Sequence, residues 1–328
     1  MRDQLHQRAV HDLVRPVLPS VAETDIRPVD EGGEHSTWWI GGSHVLRLAL
    51  DPDTSARQRR EVALRDLLRP RLAAVPTSVA SGEWAPGLAY TLDARLPGIS
   101  AEVREVSAAG EGALAEMLTV LRGIPASRTG ALGLREHAPR DIAPLRSAAV
   151  RAAERLTADG EFDSGLMARD RPTGAGPDQH RATPRVLLHN DLKGEHLLLD
   201  AAGGLSGVLD WTDAATGDPA EDIAGLAISI GAPAAVRVAT GARYTAARAA
   251  RALALCRYDT LLRLADRLYG GDDSPLPLLR AQLDRAWRRT PLDVRGESER
   301  AVHDVQSDVA VHRVAEALRE RAEHREAE

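Results

Sequence analysis

Two carboxylates, Asp191 and Asp210, each close a short apolar run: Val-Leu-Leu at 186–188 leads into His189-Asn190-Asp191, and Gly-Val-Leu at 207–209 leads into Asp210. An imidazole, His196, follows the first carboxylate by five residues, with Lys193 between them. Carboxylate, imidazole and carboxylate converging at strand ends can hold a divalent cation. A cation, an unpaired carboxylate and one ammonium group suit phosphoryl transfer, where a protein positions the reactants and neutralises phosphate charge. Singly, an Asp or His at a strand end is an ordinary turn former; the constellation is what points to chemistry. Lys193 is the only lysine of the chain, every other basic residue being arginine. Abundant Ala and Arg with almost no Lys is the mark of a GC-rich genome, and a lysine retained against that bias, two residues from Asp191, is a candidate functional group.

The elements that must carry these residues can be read from periodicity. The first hundred residues read as mostly strand with one helix. A strand is expected at 25–29, then a polar turn at 31–37. Short apolar runs at 37–40 and 44–48 flank Gly41-Gly42, a two-residue hairpin signal. A helix is expected at 54–68, with Thr54 as N-cap and Val62, Leu64, Leu67 and Leu68 as its apolar face. Strands follow at 78–82 and 88–92, and Leu96-Pro97-Gly98 breaks the pattern as a hinge would. Beyond it Leu114, Met117, Leu118 and Leu121 have helical spacing, as does 145–156. Residues 167–184 read as an exposed loop, 186–188, 197–199 and 207–209 as short strands, and the chain from Pro219 as helices ending in a charged, solvated tail.

Composition excludes several classes. With 328 residues, 43% hydrophobic and 27% charged, the chain can bury a full core and is not a disordered polymer. Its net charge of −6 argues against a nucleic-acid partner. The longest nearly apolar stretch, 224–236, contains Pro233 and is too short to span a bilayer, and no basic-then-apolar segment opens the chain; a soluble cytoplasmic protein with no membrane partner is expected. Cys256 is the single cysteine, which excludes an internal disulfide and fits a buried small apolar residue. Trp38-Trp39 reads as strand packing, and His312 and His324 have no metal-like neighbours in sequence.

The segment 186–222 resembles the catalytic core of the aminoglycoside and macrolide phosphotransferases, relatives of the protein kinases. His189-Asn190-Asp191-Leu192-Lys193-Gly194-Glu195-His196 is similar, position for position, to the kinase pattern H-R-D-L-K-P-E-N. Asp210-Trp211-Thr212 stands where kinases have D-F-G, and Gly217-Asp218-Pro219 with Asp222 is similar to the G-D-P-x-x-D of the antibiotic kinases. The resemblance implies a bilobal, protein-kinase-like α+β fold: a nucleotide-binding lobe of β-sheet plus one helix over 1–95, and a larger, mostly helical catalytic lobe over 96–328. It implies ATP or GTP with Mg²⁺, a small-molecule antibiotic as acceptor, and a monomer or weak homodimer. Under it Asp191 orients the acceptor hydroxyl, Lys193 lies near the transferred phosphate, and Asp210 binds the metal. His196 replaces the usual Asn as the second metal ligand, His189 supports the loop and Asp222 braces it. In the small lobe Arg47 and Glu61 stand for the kinase lysine–glutamate pair, although a guanidinium is not geometrically an ammonium. Ser36 belongs to the phosphate-covering segment, which lacks a G-x-G-x-x-G pattern, and the base lies against Asp93-Ala94-Arg95, making Asp93 and Arg95 nucleotide-site candidates.

The acceptor region of that family follows Asp210. Residues 211–289 carry nine acidic and eleven basic residues, no cage for a polycation, so a macrolide or nucleoside antibiotic competes with an aminoglycoside. Two other readings remain open: a kinase for a sugar or amino alcohol, and a non-catalytic nucleotide-binding protein of kinase fold.

Overall fold

The computed structural model describes residues 7–29, 35–169 and 185–293. Residues 31–34 of the turn expected at 31–37, most of the loop at 167–184, His312, His324 and the charged tail lie outside the described residues, and 35–37 are strand rather than turn.

The small lobe is one antiparallel sheet in the order β1-β2-β3-β5-β4. Its strands are β1 (Ile26–Pro28), β2 (His35–Ile40), β3 (His44–Ala49), β4 (Ser78–Ala85) and β5 (Leu88–Ala94). Alternation puts Trp38, Ile40, Leu46, Leu48 and Leu92 on one face, where they pack with Ile26 and with Val10 and Val14 of the helix α1 (Gln7–Val14). The β2–β3 hairpin closes where Ile40 pairs with His44, so its loop is three residues, Gly41-Gly42-Ser43, rather than the expected two. Gly41 sits at φ +58°, the conformation that selects glycine there.

The helix α2 (Pro52–Leu68) crosses the other face of this sheet. Its N-cap is Asp51, not Thr54: the Asp51 carboxylate accepts the Thr54 N–H at 2.8 Å and the Thr54 hydroxyl at 2.6 Å, and Pro52 sets the first helical φ. Its buried residues are Thr54, Ser55, Gln58, Glu61, Leu64, Arg65 and Leu68. This face is more polar than the expected apolar one, because α2 covers a sheet surface that itself carries Arg47, Thr91 and Asp93.

The large lobe is built on α3 (Ala108–Arg122), α4 (Ala126–Ala131), α5 (Ile142–Ala158), α6 (Ala220–Ile230), α7 (Ala232–Gly241), α8 (Ala246–Tyr269) and α9 (Leu276–Trp287). The 24-residue α8 is central, packing on α5, α6 and α9. Thr245 caps it, and its buried side includes Leu253, Leu255, Cys256, Leu261 and Leu264. Two small sheets pack on this core. One orders β10 (Leu205–Val208), β9 (Leu197–Leu199) and β6 (Ile99–Ser100); the other orders β7 (Arg135–Glu136), β11 (Ala215–Gly217) and β8 (Val186–Leu188). Sequence periodicity missed β6, β7 and β11, which have two or three residues each and no room for a repeat. Among the described residues no helix is long and apolar enough to cross a membrane.

Candidate active site

The loop after β8 is held from below. The buried Asp222, in the first turn of α6, accepts the N–H groups of His189 at 2.9 Å and Asn190 at 2.8 Å. The Leu192 carbonyl accepts the Ser229 hydroxyl at 2.6 Å. Burial pushes the Asp222 carboxyl up to about 7, against the pull of its two N–H donors. His189, fully buried, presents Nε2 to the Leu209 carbonyl at 2.8 Å and Nδ1 to the Asp191 N–H at 3.3 Å. These partners require a proton on Nε2 and a bare Nδ1, the neutral tautomer; burial lowers its pKa to about 4. The ring lies 4.6 Å from the indole of Trp211, itself buried. His189 therefore ties the Asp191 loop to the strand end that presents Asp210. Asn190 and Asp210 both take left-handed backbone conformations, φ 68° and 55°. Asn and Asp tolerate that region better than other non-glycine residues, and the sharp turns aim the carboxylates outward.

Four side chains meet on the open face of this scaffold. The Lys193 ammonium is 3.1 Å from the Asp191 carboxylate. His196 has Nδ1 2.9 Å from the Asp191 carbonyl, which requires Nδ1 to carry the proton and donate. Its Nε2 lone pair is then free of that role and lies 3.8 Å from Asp210 Oδ2. Although surrounding protein disfavours the ionised form, the Thr212 hydrogen bonds and the charge of Arg47 hold the Asp210 carboxyl below its ordinary range. A bare imidazole nitrogen beside an ionised carboxylate is a fitting donor pair for a divalent cation whose other positions go to phosphate oxygens and water. Among the described residues no group of three or more His, Cys, Asp or Glu is placed so that it could hold a metal ion.

On the small lobe, Arg47 of β3 donates through Nη2 to both oxygens of Glu61, each at 2.9 Å, and lies 3.5 Å from Asp93. Burial alone would lower its pKa; Glu61 and Asp93 more than reverse this, so it is a permanent cation. Arg65, one α2 turn beyond Glu61, closes the network with hydrogen bonds of 3.1 and 3.2 Å to Asp93, which also accepts from the Ser78 hydroxyl at 2.6 Å. The Asp93 carboxyl, despite burial, is held low by the two arginines. The Thr212 hydroxyl, from the segment after Asp210, reaches Glu61 Oε2 at 3.1 Å and joins the lobes at this pair.

The remaining nucleotide-site candidates are more peripheral. The Ser36 hydroxyl accepts the Trp38 indole N–H at 3.0 Å. Arg95 lies over the half-exposed Trp39 ring at 4.8 Å. Trp38 is buried strand packing, as expected, whereas Trp39 is not. The Ala94 and Arg95 N–H groups are taken by the carbonyls of Thr77 and Ser43, each at 2.8 Å, so neither is available to a base.

Below Asp191 a cavity of about 280 Å³ is bounded by the catalytic loop, α6 and α8; Asp191, Lys193, Arg140, Glu221, Asp259 and Ile228 contribute to its wall. A model of the phosphotransferase enzyme family matches residues 25–256, which take in the small-lobe sheet, the loop of Asp191 and every group described above except Asp259. The chain belongs to that family.

Similar curated proteins include viomycin phosphotransferase of Streptomyces vinaceus, 43% identical over 49 residues, and the uncharacterized protein YcbJ of Bacillus subtilis strain 168, 50% identical over 36 residues. These matches cover 14% and 11% of the chain and span only 17% and 12% of the length of those relatives. Solved structures match far more of it. The GDP complex of aminoglycoside 2'-phosphotransferase-IIIa aligns with a TM-score of 0.60 and 17% identity, covering 86% of this chain and 99% of that one. Macrolide 2'-phosphotransferase MphH from Brachybacterium faecium aligns with a TM-score of 0.57 and 23% identity, covering 84% and 98%. At such identities these likenesses establish the fold alone: a β-sheet lobe joined to a helical lobe, as this chain's own topology has it.

Sequence reasoning did not single out Arg65 or Arg140, and met Thr212 only as the third residue of the D-F-G-like motif, with no contact assigned. Arg65 carried a readable signal, since a helix that places Gln58, Glu61 and Arg65 on one stripe is burying charge against charge. Thr212 and Arg140 carried none, because their partners lie 151 residues away for Thr212 and 81 and 119 residues away for Arg140.

Proposed function

We propose that this phosphotransferase moves the γ-phosphate of ATP or GTP to a hydroxyl of a small-molecule antibiotic of low positive charge, a macrolide or nucleoside rather than a polycationic aminoglycoside. The observation that carries the reading is the position of Asp191: its carboxylate borders the cavity on one side and on the other lies 3.6 Å from His196, whose Nε2 is 3.8 Å from Asp210. In this reading Asp191 orients the acceptor hydroxyl in line with the phosphate, and Lys193 offsets phosphate charge. Arg47, fixed by Glu61, meets the nucleotide phosphates, while Asp93 acts through Arg47 instead of contacting the base. Ser36 and Arg95 border the nucleotide. His196 and Asp210 would hold Mg²⁺, which when bound neutralises charge on the phosphates. Residues 1–95 form the nucleotide lobe and 96–328 the catalytic lobe of a cytoplasmic monomer or weak homodimer. Solved members of this fold include complexes with GDP, with ATP and streptomycin, and with ADP, which supports a nucleoside triphosphate as donor without choosing between ATP and GTP.

One observation favours a second reading. A cavity of about 280 Å³ is at the small end for drug-sized ligands, which suits a sugar or amino alcohol kinase. A coupled nucleotide-consumption screen of the purified protein with ATP and GTP, against macrolides, nucleoside antibiotics, aminoglycosides and common hydroxylated metabolites, separates the two. Turnover with an antibiotic of low charge is expected. Turnover confined to metabolites would establish the second reading, and turnover with neither class would refute both.

A further inference from the structure

We propose that Arg140 is a built-in counter-ion that selects against polycationic acceptors, occupying the carboxylate pair on which an acceptor ammonium group would otherwise dock. The inference rests on reading the cavity beside Asp191 as the acceptor site.

Glu221 stands in the first turn of α6 and Asp259 midway along α8, facing the same cavity. In a phosphotransferase that bound cationic acceptors, two such carboxylates would be docking points. Here both are already filled. Arg140, just before α5, donates from Nε to the two Glu221 oxygens at 3.1 Å each and from Nη2 to Glu221 Oε2 at 2.6 Å. Its Nη1 and Nη2 reach the two oxygens of Asp259 at 2.8 and 2.9 Å. Every nitrogen of the guanidinium is thus engaged, in fork geometry that an ammonium cannot reproduce. The backbone is fixed as well: the Arg140 carbonyl accepts from Arg251 Nη2 at 2.6 Å, and Arg251 is anchored on the buried Asp218 at 2.6 Å. Burial disfavours the charged guanidinium, but hydrogen bonds and charge from Asp259 and Glu221 raise its pKa, so it does not release its partners by losing a proton.

The charges around the cavity then balance. Asp191, Glu221 and Asp259 face Lys193, Arg140 and Arg263. A polycation entering gains no net attraction unless it displaces a bidentate pair, whereas a neutral, hydroxylated molecule meets no such cost. Arg140 and Glu221 also border a second cavity of about 550 Å³, lined further by His137, Asn190 and Asp218. The guanidinium therefore borders both spaces, and removing it leaves Glu221 unpaired at both and Asp259 unpaired at the first.

The test is direct binding of kanamycin, a polycationic probe, measured by titration calorimetry on wild type and Arg140→Gln. With two carboxylates released, Arg140→Gln is expected to bind kanamycin about tenfold or more tightly than wild type at about 50 mM salt. That gain should disappear at about 0.5 M salt, where the charges are screened. Adding Glu221→Gln and Asp259→Asn should remove the gain at low salt too. An Arg140→Gln protein with wild-type nucleotide affinity and no tighter kanamycin binding overturns the proposal. Should Arg140→Gln fail to fold, wild type decides: binding weaker than about 1 mM at low salt is expected, and salt-sensitive micromolar binding overturns it. Turnover is not measured, so failure of the antibiotic-transfer reading in the consumption screen is a separate result.

Discussion

Asp222 and His189 are two fully buried titratable groups on one loop, and burial shifts them in opposite senses, to about 7 from 3.8 and to about 4 from 6.5. Between about pH 4 and 7 native Asp222 keeps a proton that the unfolded chain releases, so its contribution to stability falls as pH rises. Native His189 refuses a proton that the unfolded chain takes up as pH drops from 6.5 to about 4, so its contribution falls as pH falls. The two slopes oppose each other. Asp222→Asn removes the first and leaves the second, and urea unfolding of that variant should show stability dropping with falling pH in this window. The slope should exceed that of wild type by up to about 1.4 kcal/mol per pH unit; identical slopes would show that Asp222 does not carry the assigned proton. At Arg47, the paired geometry predicts a split in steady-state kinetics. Arg47→Ala should raise the nucleotide KM about tenfold or more and leave the acceptor KM within about twofold. Equal increases in both would place Arg47 outside the nucleotide site.

At the scale of elements, α2 shows what a sequence does and does not disclose. Its existence and length follow from helix-forming residues and the break near Arg69, and its start was displaced only by the choice of Thr54 over Asp51 as cap. Its orientation was less legible. Val62 and Leu67 are half-buried, while Gln58, Glu61 and Arg65 face the sheet, because their partners Arg47, Thr91 and Asp93 come from strands that no local pattern pairs with a helix. Gln58 Nε2 reaches the Arg47 carbonyl and the Thr91 hydroxyl, both at 3.0 Å. This network predicts a large structural cost for one substitution. Arg65→Met leaves Asp93 and Glu61 with one cation, Arg47, in a buried setting, and should lower the unfolding free energy by about 3–5 kcal/mol in urea titration. A loss below about 1 kcal/mol, the range of exposed pairs, would mean that the network is not a structural unit. The short strands β6, β7 and β11 were illegible for the opposite reason: they are defined by pairing alone.

Across the whole molecule, the segment 186–222 was the most legible because its chemistry is local. Asp191, Lys193, His196 and Asp210 lie within 20 residues, on the segments after β8 and after β10, and α6 braces the first of these through Asp222 and Ser229. Arg47 and Glu61 were recoverable only through the resemblance to kinases, since their meeting depends on how α2 lies on the sheet. Residues 211–289 carry nine acidic and eleven basic residues, yet Arg140, which pairs with Glu221 and Asp259 at the cavity, comes from outside that stretch. A tally by sequence window could not find it; only the packing of the segment before α5 onto α6 and α8 does.

The claim that joins these scales is that Asp191 orients a hydroxyl for phosphoryl transfer while the nucleotide is bound elsewhere. Mass spectrometry of the acceptor identified by the consumption screen, incubated with nucleoside triphosphate and wild type or Asp191→Asn, tests it most directly. Wild type should yield an acceptor heavier by one phosphoryl group, and Asp191→Asn should form it about 10²–10⁴-fold more slowly with nucleotide affinity within about threefold of wild type. Product formation by Asp191→Asn at the wild-type rate would contradict the role assigned to this loop.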